Sequence, residues 1–193
     1  MIQRVDDAVI IKELHTPYQF HLLTAPPKRE AIFLKDKLKF GCTFAFHGSS
    51  IENWHRILRT GLASASGTTL QVNGAAYGHG VYLSPQCSLS LGYSRFGYGG
   101  GQKRNPAADG AVGAVLSTVF KPKEFTVLAL CEVVKSPTLK MTHNGGNIWV
   151  QANADHVVTR MLFVFENGKI AETVWPKSTD TAFVDSLNKA IGV

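Results

Sequence analysis

Residues 46–62, FHGSSIENWHRILRTGL, and residues 75–94, AAYGHGVYLSPQCSLSLGYS, decide how this chain reads. The first stretch completes an apolar run, TFAFHG over 43–48, whose composition predicts a strand that stops at glycine. A short helix should follow: Ser50 suits an N-cap, Ile51, Trp54, Ile57 and Leu58 recur on one helical face, and Gly61 suits the left-handed position past the last turn. The strand-to-helix junction therefore presents His47, Gly48 and Ser49 together. Gly48 lets a ligand approach the backbone, while His47 and Ser49 supply donors and acceptors at the same mouth. On residue types alone, a histidine that caps a strand edge is the simpler reading.

The second stretch holds Tyr77, Tyr82 and Tyr93 with Ser84, Ser88 and Ser90, and its GHGVYLS reads as a short strand entered through two glycines. Tyrosines offer flat faces for stacking an aromatic ring, and serine hydroxyls can bond an amide. Core or sheet-surface packing is the ordinary alternative for strand tyrosines.

Outward from this centre, residues 1–40 form a lead-in of TPYQF, APPKRE and a charged stretch LKDKLKF that fits either a helix or an edge strand. Residues 62–77 are small and polar, as in a mobile loop. Residues 94–113 carry six glycines and the pair Lys103-Arg104, which predicts a flexible surface loop. That loop satisfies neither GxGxxG nor GxxxxGK[ST], so a phosphate-binding loop is not indicated. Beyond it FTVLALCEVV, NIWVQA and VVTRMLFVFENGKI are strand-like, separated by the turn signals SPTLKMTHNGG and ANAD. Many strands without regular strand-helix alternation predict an α+β fold, and 193 residues with 45% apolar content predict one domain spanning 1–193, its core over 41–193.

The chain has 20 basic and 14 acidic residues, a net charge of +6, which favours anionic ligands but equally describes a solvated basic surface. Cys42, Cys87 and Cys131 show no CxxC spacing and read as reduced core thiols of a cytoplasmic protein. No run approaches the roughly 20 apolar residues of a membrane span, and the N-terminus lacks the pattern of a signal peptide. A Cys87–His79 nucleophilic pair has no identifiable third member. His143, His156 and the scattered cysteines lack zinc-site spacing, so no metal is expected. The serine-hydrolase elbow GxSxG is absent.

Read together, the two quoted stretches resemble the catalytic domain of the poly(ADP-ribose) polymerase family, closest to its mono-ADP-ribosylating vertebrate members six and eight. The pairing of HGS with GxGVYLS and a following GYS carries the resemblance, which extends from about Gln19 through the final strands. It implies the ADP-ribosyltransferase fold, two small antiparallel sheets packed together with the NAD cleft between them, and NAD as co-substrate without a metal.

By that resemblance His47 would bond a ribose hydroxyl of NAD and the Gly48 backbone would grip the nicotinamide carboxamide. Ser90 would give the carboxamide a hydroxyl partner, Tyr93 would stack on the ring, and Tyr82 would pack against its other side. Ser49 and Tyr77 would complete the NAD site, and the segment between Leu62 and Tyr77 would cover it. Where the polymerising branch has a catalytic glutamate, counting back from TRMLFVF places Ile148, and a one-residue slip places Asn147. Neither is a useful base, so transfer of one ADP-ribose unit to a protein acceptor is expected rather than chain elongation. A nucleic-acid acceptor rests only on the charge and the Lys103-Arg104 pair. A pseudoenzyme that only binds NAD or ADP-ribose is the other alternative.

Overall fold

The computed structural model describes residues 2–64, 76–96, 125–166, 170 and 174–191. Two antiparallel sheets form, as the family resemblance implies, and with the helices they make the α+β fold that the strand-rich pattern predicts. In the larger, β1 (Ile2–Arg4), β2 (Tyr18–Leu22), β8 (Val157–Glu166), β5 (Phe125–Val134) and β3 (Cys42–Gly48) lie side by side in that order. In the smaller, β7 (Ile148–Gln151) lies between β4 (Val81–Leu83) and β6 (Leu139–His143).

The near-continuous apolar run of β5 is explained by burial on both faces. Leu128 and Leu130 point into a core shared with Phe46, Leu91, Met161, Phe163, Phe183 and Leu187. Their alternates Val127, Ala129, Cys131 and Val133 point into a second core with Val81, Leu83 and Trp149 of the smaller sheet. The second core is what packs the sheets together. The first is roofed by α3 (Cys87–Phe96) and α4 (Thr181–Ile191), the latter presenting Phe183, Leu187 and Ala190 at helical spacing.

The lead-in belongs to this architecture, since β2 pairs with β8 and extends the larger sheet. LKDKLKF is helical, within α1 (Pro27–Phe40), which starts on a proline and ends at Gly41 with φ +70°. Its sequence is ambiguous because the helix buries only Phe33 while Leu34 and Leu38 stay exposed. An ionic cluster fastens it to the sheet. Arg160 donates to both carboxylate oxygens of Glu30, at 3.0 and 2.8 Å, and to Glu132 at 2.9 Å, while Lys37 reaches Glu132 at 2.6 Å. Burial pushes the Glu132 carboxyl up, but hydrogen bonds from Lys37, Cys42 and Arg160 hold it below the usual carboxylate value.

Two local expectations need correction. SPTLKMTHNGG is not a turn throughout: residues 139–143 form β6, and only the following NGGN makes the hairpin loop, with Asn144, Gly145 and Gly146 all at positive φ. Ser50 makes no side-chain cap, because a 3-10 turn over Ile51–Asn53 precedes α2 (Trp54–Thr60) and leaves Ile51 exposed. Gly61 ends α2 as expected, at φ +79° with its N–H on the carbonyl of Ile57. Residues 94–96 belong to α3, and the rest of the glycine-rich segment through 113, Lys103-Arg104 included, lies outside the described residues, as does most of the covering segment, 65–75. No described helix is long and apolar enough to cross a membrane.

Candidate active site

The two sheets meet at the end of β3. Phe46 and Ser84 exchange both backbone hydrogen bonds, at 2.7 and 2.9 Å, so the edge of one sheet is tied to the strand end of the other. One residue further on, His47 Nδ1 lies 2.8 Å from the carbonyl oxygen of Tyr82. A carbonyl can only accept, so Nδ1 carries the proton. Burial lowers the His47 pKa, outweighing the opposing effect of that bond, so the ring is neutral and its Nε2 is left as an acceptor. Trp54 of α2 meets the imidazole edge-on, centroids 6.5 Å apart. Its indole N–H donates to the carbonyl of Ser49 at 3.1 Å, and Asn53 donates to the Ser49 hydroxyl at 3.0 Å, so the turn after Gly48 is held by the helix that follows it.

Gly48 is required by space rather than by backbone angle. A Cβ built there would stand 1.8 Å from the carbonyl oxygen of Ser90 and 2.7 Å from the Ser94 hydroxyl. The close approach of α3 to β3 is fixed by hydroxyls: Ser90 donates to the carbonyl of Phe46 at 3.1 Å, and Ser94 to that of Val127 at 2.8 Å. Ser90 is buried, and Tyr93, one turn-position along the same helix, is half-buried.

Tyr82 lies on the face of the small sheet opposite its core. Its hydroxyl accepts from the N–H of Tyr77 at 3.0 Å and donates to the carbonyl of Gly78 at 2.9 Å, folding the turn before β4 back over the strand. Tyr77 in turn stacks on His143, centroids 4.8 Å apart and planes 29° from parallel. Ile148 begins β7 directly opposite His143 and is buried. Asn147 accepts a hydrogen bond from Gln86 at 2.7 Å through its side-chain oxygen, which places it in a structural link.

Thus His47, Gly48, Ser49, Tyr77, Tyr82 and Ser90 are gathered around one seam, Tyr93 sits on the helix bordering it, and Ile148 shares a sheet face with Tyr82. Sequence reasoning missed the roles of Trp54, Ser94 and His143 there. The Cys87 pairing gains nothing, since burial pushes its thiol far up and leaves no thiolate. His156 bonds Ser136 and Asp36, at 2.8 and 2.9 Å, while His143 stacks on Tyr77, so the two do not share a ligand set.

A strand-end histidine, a glycine pressed by a helix, and a strand tyrosine at the meeting of two antiparallel sheets define a class. This chain belongs to the poly(ADP-ribose) polymerase catalytic domain family, whose profile matches residues 26–148. It is 45% identical over 172 residues to the mouse protein mono-ADP-ribosyltransferase PARP8, covering 84% of this chain and 20% of that protein. The human PARP8 protein matches at the same identity over 174 residues, and the human mono-ADP-ribosyltransferase PARP16 at 33% over 110 residues, 57% of this chain and 28% of that protein. The chain spans about a fifth of the length of the PARP8 relatives it matches.

Proposed function

We propose that the chain transfers one ADP-ribose unit from NAD to a protein acceptor and releases nicotinamide, as the names of its relatives suggest. The observation that carries this reading is the neutral His47 with its Nε2 unprotonated beside Gly48 and Tyr82, combined with an isoleucine at position 148. Nε2 accepts from a ribose hydroxyl, and the Gly48 backbone holds the carboxamide of the leaving group. The Ser90 hydroxyl, already donating to Phe46, keeps lone pairs for a carboxamide N–H. Tyr93 stacks on the nicotinamide ring, with Tyr82 on its other side and Ser49 and Tyr77 at the margins.

The bond from ribose to nicotinamide breaks through a cation-like state, so holding the leaving amide and the ribose does most of the work. Ile148 cannot polarise the hydroxyl of a second ADP-ribose, which favours single transfer over polymer. The buried thiols of Cys87 and Cys131 support a reducing, cytoplasmic setting.

Intact mass and nicotinamide release after incubation with NAD, beside a His47→Ala control, test the reading. A single added ADP-ribose that is lost in the control supports it. NAD binding with neither mass gain nor nicotinamide release would instead favour a binding module.

A further inference from the structure

His143 stands apart from the residues that the proposed function uses. It closes β6 opposite Ile148, and paired residues of an antiparallel ladder put their side chains on one face. Tyr82 is on that face too, since it pairs with Val150, two residues along β7 from Ile148. Stacking on Tyr77 covers the face of the imidazole and leaves its edge, where Nε2 lies buried without any hydrogen bond. Folded proteins keep few buried polar atoms unsatisfied, and a functional role is one recurrent reason for an exception. The contacts run without a break from His47 to Tyr82, from Tyr82 to Tyr77 and from Tyr77 to His143.

We propose that His143 is the acceptor-side catalytic residue, its Nε2 taking the proton of a hydroxyl or thiol nucleophile beside Ile148. The inference rests on the transferase reading above and deepens it by naming the acceptor class. As the acceptor's oxygen or sulfur bonds to the anomeric carbon, the bond from that carbon to nicotinamide breaks. The electron pair of the broken bond leaves on the ring nitrogen of neutral nicotinamide, and the acceptor's proton passes to Nε2. An imidazole nitrogen with a lone pair can take that proton. A carboxylate acceptor carries no proton at neutral pH and would not require it, so the geometry selects protonated nucleophiles.

The test uses the whole chain with His143→Phe, which keeps an aromatic ring against Tyr77, and His143→Gln, which keeps hydrogen bonding but cannot take the proton. With NAD as the only added ligand, NAD affinity is measured by calorimetry, self-modification by intact mass, and adduct chemistry by neutral hydroxylamine, which releases carboxylate esters and leaves O- and S-glycosides. The expected result is a hydroxylamine-resistant adduct on the parent, formed about a hundredfold more slowly by both variants while NAD affinity stays within about twofold. Release of the parent's adduct by hydroxylamine overturns the proposal, as does a parental rate in either variant or a loss of NAD affinity that matches the loss of adduct. A parent that binds NAD yet yields neither nicotinamide nor adduct brings down the transferase reading and this inference together, and is told apart because the parent itself fails.

Discussion

His47 donates from Nδ1 to the carbonyl oxygen of Tyr82 across the line where the two sheets meet, at 2.8 Å. One bond thereby joins β3 to β4 and settles which ring nitrogen faces outward. His47→Ala should abolish nicotinamide release, at least about a hundredfold, and cost about 1 kcal/mol of stability through the lost link. Parental nicotinamide release in the variant would remove His47 from the chemistry.

Burial also gives His47 a pH signature. The folded protein binds that proton less readily than the unfolded chain, whose imidazole titrates near 6.5. Below that value the unfolded state takes up more protons, so stability falls as the solution is acidified through it. His21, likewise lowered by burial, adds in the same direction. Thermal melting between about pH 7 and pH 5.5 should therefore fall less in His47→Gln than in the parent. Parallel curves would assign the acid sensitivity to His21 or other groups.

Gly48→Ala drives a methyl group into the Ser90 carbonyl and must push α3 off β3. A loss of about 3 kcal/mol with no measurable NAD binding is expected. Gly92→Ala, on the same helix with open space around it, should be neutral or stabilising by up to about 1 kcal/mol. Urea unfolding of the pair separates crowding at one position from a general intolerance of α3.

Tyr93→Ala should weaken NAD binding about tenfold, the scale of one aromatic stack, and leave the melting temperature within a few degrees of the parent. Calorimetric titration with NAD checks it. Unchanged affinity would show that the stacking partner lies elsewhere.

Far from the site, Arg160→Met leaves the buried Glu132 carboxylate with Lys37 and Cys42 alone and Glu30 with only the Ala25 N–H. Stability should drop by about 3 kcal/mol in urea unfolding, and activity at low temperature should persist. A variant as stable as the parent would mean that Lys37 and Cys42 suffice.

Much of the site was legible because its residues are consecutive or nearly so. FHGS ends a strand, GVYLS forms another, and the identities at His47, Gly48, Tyr82 and Ser90 do not depend on how distant parts meet. What was not legible is long-range. Nothing local says that a Cβ at Gly48 would strike the carbonyl of Ser90, since that follows from how α3 lies on β3. The helical state of 87–96 was hidden by SLSLGY, whose serines and glycine are poor helix formers and are tolerated because Leu91 and the Ser90 and Ser94 hydroxyls anchor it. The placement of His143 was nearly legible: NGG between MTH and IWV is a hairpin signal, and pairing its flanks sets His143 against Ile148. LKMTH masked this, because β6 is mostly exposed and lacks the apolar alternation of a half-buried strand.

The bond from His47 to the Tyr82 carbonyl has a thermodynamic consequence for any ligand that arrives. Imidazole tautomer and ring orientation are fixed when the chain folds, by a backbone group that cannot rotate away. The rotational entropy of that side chain is surrendered before association, so an incoming molecule meets an acceptor already aimed and keeps more of its contact energy as affinity.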